Sequence, residues 1–184
     1  MNNTNLILIL LSGIILLKIF WLYTEVKFSK SRVNATMLKT NLIEAVILAL
    51  TALQAIYFPL PSTPFDQLIL LSGVIMYATG AILALWARLT MNNVWGIPGQ
   101  HAAKQNALIT SGPFQFSRNP IYLGFLLIYF GFAIAIVSYF VLLRIPLLIY
   151  FYKSARTEEK ILEKNFGKKY LSYKSKTPLF LLWF

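Results

Sequence analysis

The residues best suited to chemistry begin with the tract Arg-Asn-Pro-Ile-Tyr at positions 118–122, directly before a long apolar run. Pro120 suits the first turn of a helix, where its missing N–H is not needed, and Asn119 is a good N-cap. Arg118 would then stand beside the unpaired N–H groups and the positive dipole end of that helix. The tract therefore predicts a site for an anionic group.

A second candidate is the pair Glu158 and Glu159, in an amphipathic helix predicted over Ser154–Phe166. Glu158 lies on the apolar face and has no basic residue three or four positions away. It should find a partner on another element, because a lone buried carboxylate is costly. Glu159 has Arg156 three residues before it and could pair with that residue alone.

The composition restricts the class of protein that could hold these tracts. The chain has 184 residues, of which 58% are hydrophobic, with a mean hydropathy of +0.65, and this favours an integral membrane protein. It has no cysteine, one histidine and six acidic residues, so disulfides and thiolate chemistry are excluded and no metal site is expected. The net charge of +11 comes from residues that flank apolar runs, which indicates topology signals rather than nucleic-acid binding.

Apolar runs predict the elements that position the candidate residues. Three single spans are predicted over Asn5–Tyr23, Leu42–Leu60 and Gln67–Met91. As one helix, the run Ile121–Tyr152 would be about 48 Å long, against a hydrocarbon core of roughly 30 Å. We therefore predict a helical hairpin that turns near Val137–Phe140. The fold is expected to be all-α: a polytopic membrane protein with about five transmembrane helices and a cytoplasmic amphipathic C-terminal helix.

The charges predict the orientation of these spans. With five crossings, nearly all Lys and Arg flanks fall on one side, so the N-terminus should lie outside and the tail in the cytoplasm. Arg144 is the exception, and we expect it to reach the outer interface, with the bundle interior as the alternative. Glu44 is expected to pair with a loop lysine, and Pro146 to kink the second helix of the hairpin. Gly73 and Gly80 are candidate close-packing positions.

Several tracts, in their order along the chain, resemble those of the isoprenylcysteine carboxyl methyltransferase family and the related phospholipid N-methyltransferases. They are Gly112-Pro113-Phe114, Arg118-Asn119-Pro120-x-Tyr122-x-Gly124, Glu158-Glu159 and Phe166-Gly-x-x-Tyr170-x-x-Tyr173.

The chain departs from the family pattern at three of its positions. Asn119 and Asn106 stand where the family has histidines, and Phe114 where it has tyrosine. An asparagine can replace one hydrogen bond of a neutral histidine but cannot titrate, so a proton-transfer role at Asn119 is in doubt.

The resemblance implies S-adenosylmethionine as the cofactor and S-adenosylhomocysteine as the product, bound on the cytoplasmic side by residues 92–184, while residues 1–91 supply the N-terminal spans of a single transmembrane domain. Arg118 and Asn119 would be the catalytic residues, and backbone groups of Leu108 and Ile109 would meet the adenine. The full set of cofactor-binding residues that it implies is Leu108, Ile109, Arg118, Asn119, Tyr122, Glu158 and Glu159.

The resemblance also implies a lipid-like or prenylated acceptor that enters from the bilayer. O-methylation of a carboxylate is favoured. N-methylation of a phospholipid amine and a non-catalytic membrane protein that kept the fold are the alternatives. The expected partners are this acceptor and an anionic membrane surface, which suits the basic tail, and the protein is expected to be a monomer without nucleic-acid partners.

Overall fold

The computed structural model describes the backbone of residues 3–29, 35–91 and 107–181, and the side chains of residues 4–24, 41–91 and 107–181. Within these ranges the chain is helical and contains no strand. The helices are α1 (Asn3–Ser29), α2 (Ala35–Tyr57), α3 (Asp66–Met91), a 3₁₀ helix (Gly112–Gln115), α4 (Pro120–Ala135), a second 3₁₀ helix (Tyr139–Arg144), α5 (Ile145–Phe166) and α6 (Lys168–Lys174).

The predicted elements agree with this order, including the hairpin. α4 ends at Ala135, and the chain reverses through Val137, which has a φ of 51°. α5 then runs without interruption past Lys153 into the tail, as predicted. The expected kink at Pro146 is wrong, because this proline stands in the first turn of α5, where no intrahelical hydrogen bond is lost. The first part of the predicted loop Asn92–Asn119 lies outside the described residues.

Glycines allow α3 and α4 to pack with their backbones in contact, as expected for Gly73 and Gly80. A Cβ atom on Gly80 would lie 2.6 Å from the carbonyl oxygen of Gly124, and one on Gly124 would lie 2.8 Å from that of Gly80. Further along, Gly131 faces the backbone of Gly73 and Tyr77. This close pairing fixes the position of the start of α4, where the candidate site begins.

A polar network joins α1 and α2 to α4. The ammonium of Lys18 in α1 forms an ion pair with Glu44 in α2, at 2.7 Å. The same carboxylate accepts a hydrogen bond from the hydroxyl of Tyr129 in α4. The expected pairing of Glu44 with a loop lysine is thus replaced by a lysine of the first helix.

The helix surfaces agree with association of the protein with a membrane. Thr4–Thr24 and Asp66–Met91 are long and apolar enough to cross a bilayer, whereas Asn41–Tyr57 and Pro120–Ala135 are shorter apolar helices. The α3 segment has only 17% of its most apolar window buried, although the core helix of a soluble protein would be mostly buried. The number of crossings and their direction stay predictions.

The expectation that Arg144 reaches the outer interface is wrong. Its side chain is buried with 3% of its surface exposed, and it donates a hydrogen bond to Thr51 in α2. The residues on either side of it, Leu143 and Ile145, are exposed instead. Because the 3₁₀ helix ends at Arg144 and α5 begins directly after it, the local geometry directs this side chain towards the bundle.

Candidate functional site

The turn before α4 places Arg118 and Asn119 against the end of the chain. The backbone N–H of Arg118 donates to the carbonyl of Pro178, and the buried hydroxyl of Ser117 donates to the carbonyl of Leu179. Pro120 occupies the first turn of α4, as predicted. Asn119 stands at the N-cap position, but its side chain does not cap the helix and donates instead to the carbonyl of Leu179, at 3.4 Å.

The guanidinium of Arg118 is buried at the centre of the site. Its Nη2 lies 2.8 Å from Oε1 of Glu159, and both side chains are less than 10% exposed. Its Nη1 donates to the carbonyl of Lys174 at the end of α6. Its Nε is buried and has no hydrogen-bond partner among the described residues. Arg118 therefore joins the start of α4 to α5 and α6, with one donor left over.

Glu159 receives more partners than the local pairing predicted. Arg156 lies 2.9 Å from its Oε2, as expected from the spacing, and the phenol of Tyr170 donates to its Oε1. Lys174 is 3.8 Å away and also pairs with Glu163. The buried carboxylate is thus surrounded by Arg118, Arg156, Tyr170 and Lys174, which compensate for the water it has lost.

Glu158 lies on the neighbouring side of α5 and is only partly buried. The hydroxyl of Tyr122, in the first turn of α4, donates to its Oε1 at 2.5 Å. This contact confirms that Glu158 finds a partner on another element. The ring of Tyr122 stacks on Phe151 of α5 with centroids 5.0 Å apart. The two adjacent carboxylates therefore differ: Glu159 is enclosed by cations, and Glu158 faces a phenol and remains accessible.

The segment before α4 is held by α3 and by the tail. Ile109 packs against Ala87, Met91, Phe114 and Ile121, and Leu108 beside it is half-buried. Gly112 has a φ of 60°, which suits glycine and lets the chain turn next to Thr90.

Sequence reasoning named the Phe-Gly-x-x-Tyr-x-x-Tyr tract as a motif without giving its tyrosines a role. Tyr173 donates to the carbonyl of Phe114 at 2.6 Å, and Tyr170 contacts Glu159. Burial, with a smaller contribution from the Glu159 charge, raises the pKa of Tyr170, and burial also raises the pKa of Tyr173. Both phenols therefore keep their protons at neutral pH and act as donors that position the site.

The tracts from distant parts of the sequence thus meet at one end of the helix bundle. Among the described residues, no group of His, Cys, Asp and Glu could hold a metal ion. The site offers a buried guanidinium, a partly open carboxylate and an apolar wall, and this combination suits a ligand with an anionic group and hydroxyls.

One comparison with known proteins identifies a family. A family model described as phospholipid methyltransferase matches residues 68–169, more than half of the chain, from α3 to the start of α6. The match contains Leu108, Arg118, Tyr122 and both carboxylates of the site. The comparisons with curated proteins and with solved structures give no match. The chain belongs to the phospholipid methyltransferase family, and so to a family of membrane methyltransferases.

Proposed function

We propose that this protein transfers a methyl group from S-adenosylmethionine to a lipid-like acceptor in the membrane. The observation that carries the proposal is the meeting of Arg118, Tyr122, Glu158 and Glu159 at the start of α4. Family membership supports the reaction type. The donor groups fit the cofactor, because the buried Nε of Arg118 lacks a partner among the described residues and a carboxylate could supply one.

The individual residues would have different roles towards the cofactor. Arg118 would hold the carboxylate of its amino acid part, and Asn119 would orient it. Glu158 would accept hydrogen bonds from the ribose hydroxyls, because it is the more accessible of the two carboxylates. Glu159 would act mainly by fixing Arg118 in place. The backbone of Leu108 and Ile109 would meet the adenine, and Tyr122 would orient Glu158.

The bound cofactor would supply an activated methyl group that an acceptor takes by in-line displacement. Positioning and exclusion of water can then provide most of the rate enhancement. Asn119 cannot titrate, so no proton transfer is assigned to it. The apolar wall formed by Ile109, Phe114 and Ile121 would keep water away from the reacting atoms.

The resemblance favours a carboxylate acceptor, and one feature of the structure supports an amine as a second candidate. A row of four aromatic rings leads from Glu158 into the bundle between α4 and α5. In order they are Tyr122, Phe151 of α5, Phe125 and Tyr129, with successive centroids 5.0 to 6.3 Å apart. Because these rings stack on one another, their faces are largely covered, and the attraction for a cation comes mainly from the partly exposed carboxylate of Glu158. An amine headgroup is therefore the second candidate, with Glu158 placed to accept its proton.

We extend the proposal to the placement in the membrane. The protein would be a single transmembrane domain of residues 1–184 that crosses five times, with its N-terminus outside and its tail in the cytoplasm. At 16 residues, α4 would span about 24 Å, so the bilayer would have to thin or the flanking turns enter it. The exposed lysines of the tail, Lys160, Lys164, Lys168 and Lys169, would face anionic headgroups, and the protein would act as a monomer.

Cofactor binding by the purified full chain in detergent tests the proposal. Calorimetry should detect S-adenosylmethionine binding, and Arg118→Lys should weaken it because an ammonium cannot reproduce the guanidinium fork. Arg156→Lys is the matched control, since Arg156 is about half exposed. Unchanged affinity in Arg118→Lys would leave Arg118 as a structural residue only.

A second experiment tests whether methyl transfer occurs and identifies the group that accepts the methyl. Membranes with and without the protein receive cofactor carrying an isotope-labelled methyl group, and the lipids are analysed by mass spectrometry. Label that base releases as methanol identifies a methyl ester, whereas label that stays on a headgroup nitrogen identifies an amine. Binding without any labelled lipid would favour the non-catalytic alternative.

A further inference from the structure

Arg144 is buried among exposed apolar neighbours at the end of the bundle away from Arg118. Its side chain has 3% of its surface exposed, whereas Leu142, Leu143 and Ile145 are 68%, 42% and 46% exposed. It precedes α5 and follows the turn at the far end of α4, so the full length of α4 separates it from the candidate methyl-transfer site. An arginine here could reach the interface easily, yet this one points inwards.

The contacts of Arg144 do not balance its charge. Its Nη2 donates to the hydroxyl of Thr51 at 2.9 Å, and its Nε is buried without a hydrogen-bond partner among the described residues. No described carboxylate lies within ion-pair distance of it. Glu44 acts on it electrostatically but is already bound by Lys18 and Tyr129.

The cost of this arrangement indicates a missing partner. Removing a single charge from water costs several kcal/mol even after the protein relaxes, roughly what an opposite charge with good geometry can offset. Arg118 meets that requirement with Glu159. Arg144 is a buried cation with a neutral hydroxyl in place of a carboxylate.

We propose that Arg144, oriented by the hydroxyl of Thr51, binds a phosphate group between α2 and the 3₁₀ helix of residues 139–144. A guanidinium offers parallel N–H donors that match the spacing of phosphate oxygens, and the unpaired Nε would be one of them. The exposed Leu142 and Leu143 beside it would contact acyl chains if the phosphate belongs to a phospholipid. Inorganic phosphate is the other source of the same chemistry. The site is independent of methyl transfer.

Thermal unfolding of the purified, delipidated full chain, followed by tryptophan fluorescence in a maltoside detergent, tests the proposal. Three probes are compared: dihexanoylphosphatidylglycerol, dihexanoylglycerol without phosphate, and inorganic phosphate. We expect the phosphatidylglycerol to raise the Tm in a saturable way and the diacylglycerol to leave it unchanged. A rise with inorganic phosphate as well identifies the phosphate alone as the ligand. No rise with either phosphate probe overturns the proposal.

Variants then assign the effect to Arg144. Arg144→Gln should abolish the rise while its Tm without probe stays equal or increases, because an unbalanced charge has been removed. Lys153→Gln, an exposed change on α5, should keep the full rise. A lower starting Tm with an intact rise in Arg144→Gln would show a purely structural role and overturn the proposal.

If Arg144→Gln does not fold, Thr51→Val replaces it. Loss of the hydroxyl that orients Arg144 should raise the probe concentration for half-maximal effect about tenfold, the equivalent of about 1.4 kcal/mol. An unchanged half-maximal concentration in Thr51→Val counts against the site.

Discussion

Before the start of α4, Arg118 is buried against Glu159 at 2.8 Å, with Tyr170 and Lys174 completing the surroundings of that carboxylate. Beyond the other end of α4, Arg144 is buried to a similar extent with only the hydroxyl of Thr51. The first arginine joins tracts that lie far apart in sequence. The second has no carboxylate within ion-pair distance among the described residues, and Glu44 acts on it only from further away. Arg118 is already paired with a carboxylate of the protein and has only its Nε left to offer a ligand, whereas Arg144 has no such pair among the described residues.

The largest effect should follow from removing the carboxylate at the first end. Glu159→Gln leaves the Arg118 guanidinium buried and uncompensated, which should destabilise the protein by about 3–5 kcal/mol. Thermal unfolding in detergent measures it, with Glu163→Gln as the control, since Glu163 is more exposed and pairs only with Lys174 among the described residues. An equal decrease in stability in the two variants would show that burial of the Arg118 charge does not require Glu159. The contrast between Arg118 and Arg144 would then disappear.

The next largest effect is expected at Glu158, where a substitution should affect cofactor binding more than stability. Glu158→Gln should weaken binding of S-adenosylmethionine by about 1.5–3 kcal/mol, because a charged acceptor is lost in a partly buried site. Its effect on the Tm should be smaller than that of Glu159→Gln, since Glu158 is more accessible. Calorimetry on the unmodified protein, Glu158→Gln and Glu163→Gln compares their affinities for S-adenosylmethionine. Affinity equal to that of Glu163→Gln would contradict the assignment.

Much of this arrangement could be predicted from sequence. The lengths of the apolar runs predicted α1, α3 and the hairpin near Val137, and helix periodicity predicted the amphipathic tail. Gly73 and Gly80 are correctly predicted as close-packing positions, because nothing larger than hydrogen fits where two backbones touch, but only the structure identifies α4 as the helix that packs there. The order of motifs predicted which tracts would meet.

The sequence could not show which carboxylate is enclosed. Helix periodicity placed Glu158 on the apolar face, but the buried side of this part of α5 is set by Arg118 and α6, which are distant in sequence. Arg144 was misjudged for a similar reason. Flanking apolar residues predict an interfacial arginine, and only the 3₁₀ geometry before α5 turns it inwards. In both cases, residues that are distant in sequence determine which side chain is buried.

A smaller effect is expected at Tyr173, whose hydrogen bond connects the C-terminal segment to the turn before Arg118. Tyr173→Phe removes the hydrogen bond to the carbonyl of Phe114, worth about 0.5–1.5 kcal/mol. Cofactor affinity should fall modestly, because the turn that leads to Arg118 loses one anchor. Tyr139→Phe is a matched control, because Tyr139 is exposed and lies in the 3₁₀ helix at the far end of α4. A Tyr173→Phe protein with unchanged Tm and affinity would show that the tail does not hold the turn.

The smallest effect is expected at Asn119. Its side chain does not cap α4, and its Nδ2 donates only a long bond of 3.4 Å to the carbonyl of Leu179. Histidine can make the same donation through a ring N–H and is the residue of the family pattern, so Asn119→His should change the free energy of unfolding by no more than about 0.5 kcal/mol. The rate of methyl transfer shows whether a titrating group at this position matters. If the imidazole supplies a proton-transfer group that this chain lacks, the rate of Asn119→His should rise and should depend on pH between about 5 and 8. A rate that is unchanged across that range, with binding intact, would show that methyl transfer here depends on positioning alone. Loss of cofactor binding in Asn119→His would instead mean that the asparagine amide is required, and that this end of α4 has diverged from the family in more than its titrating group.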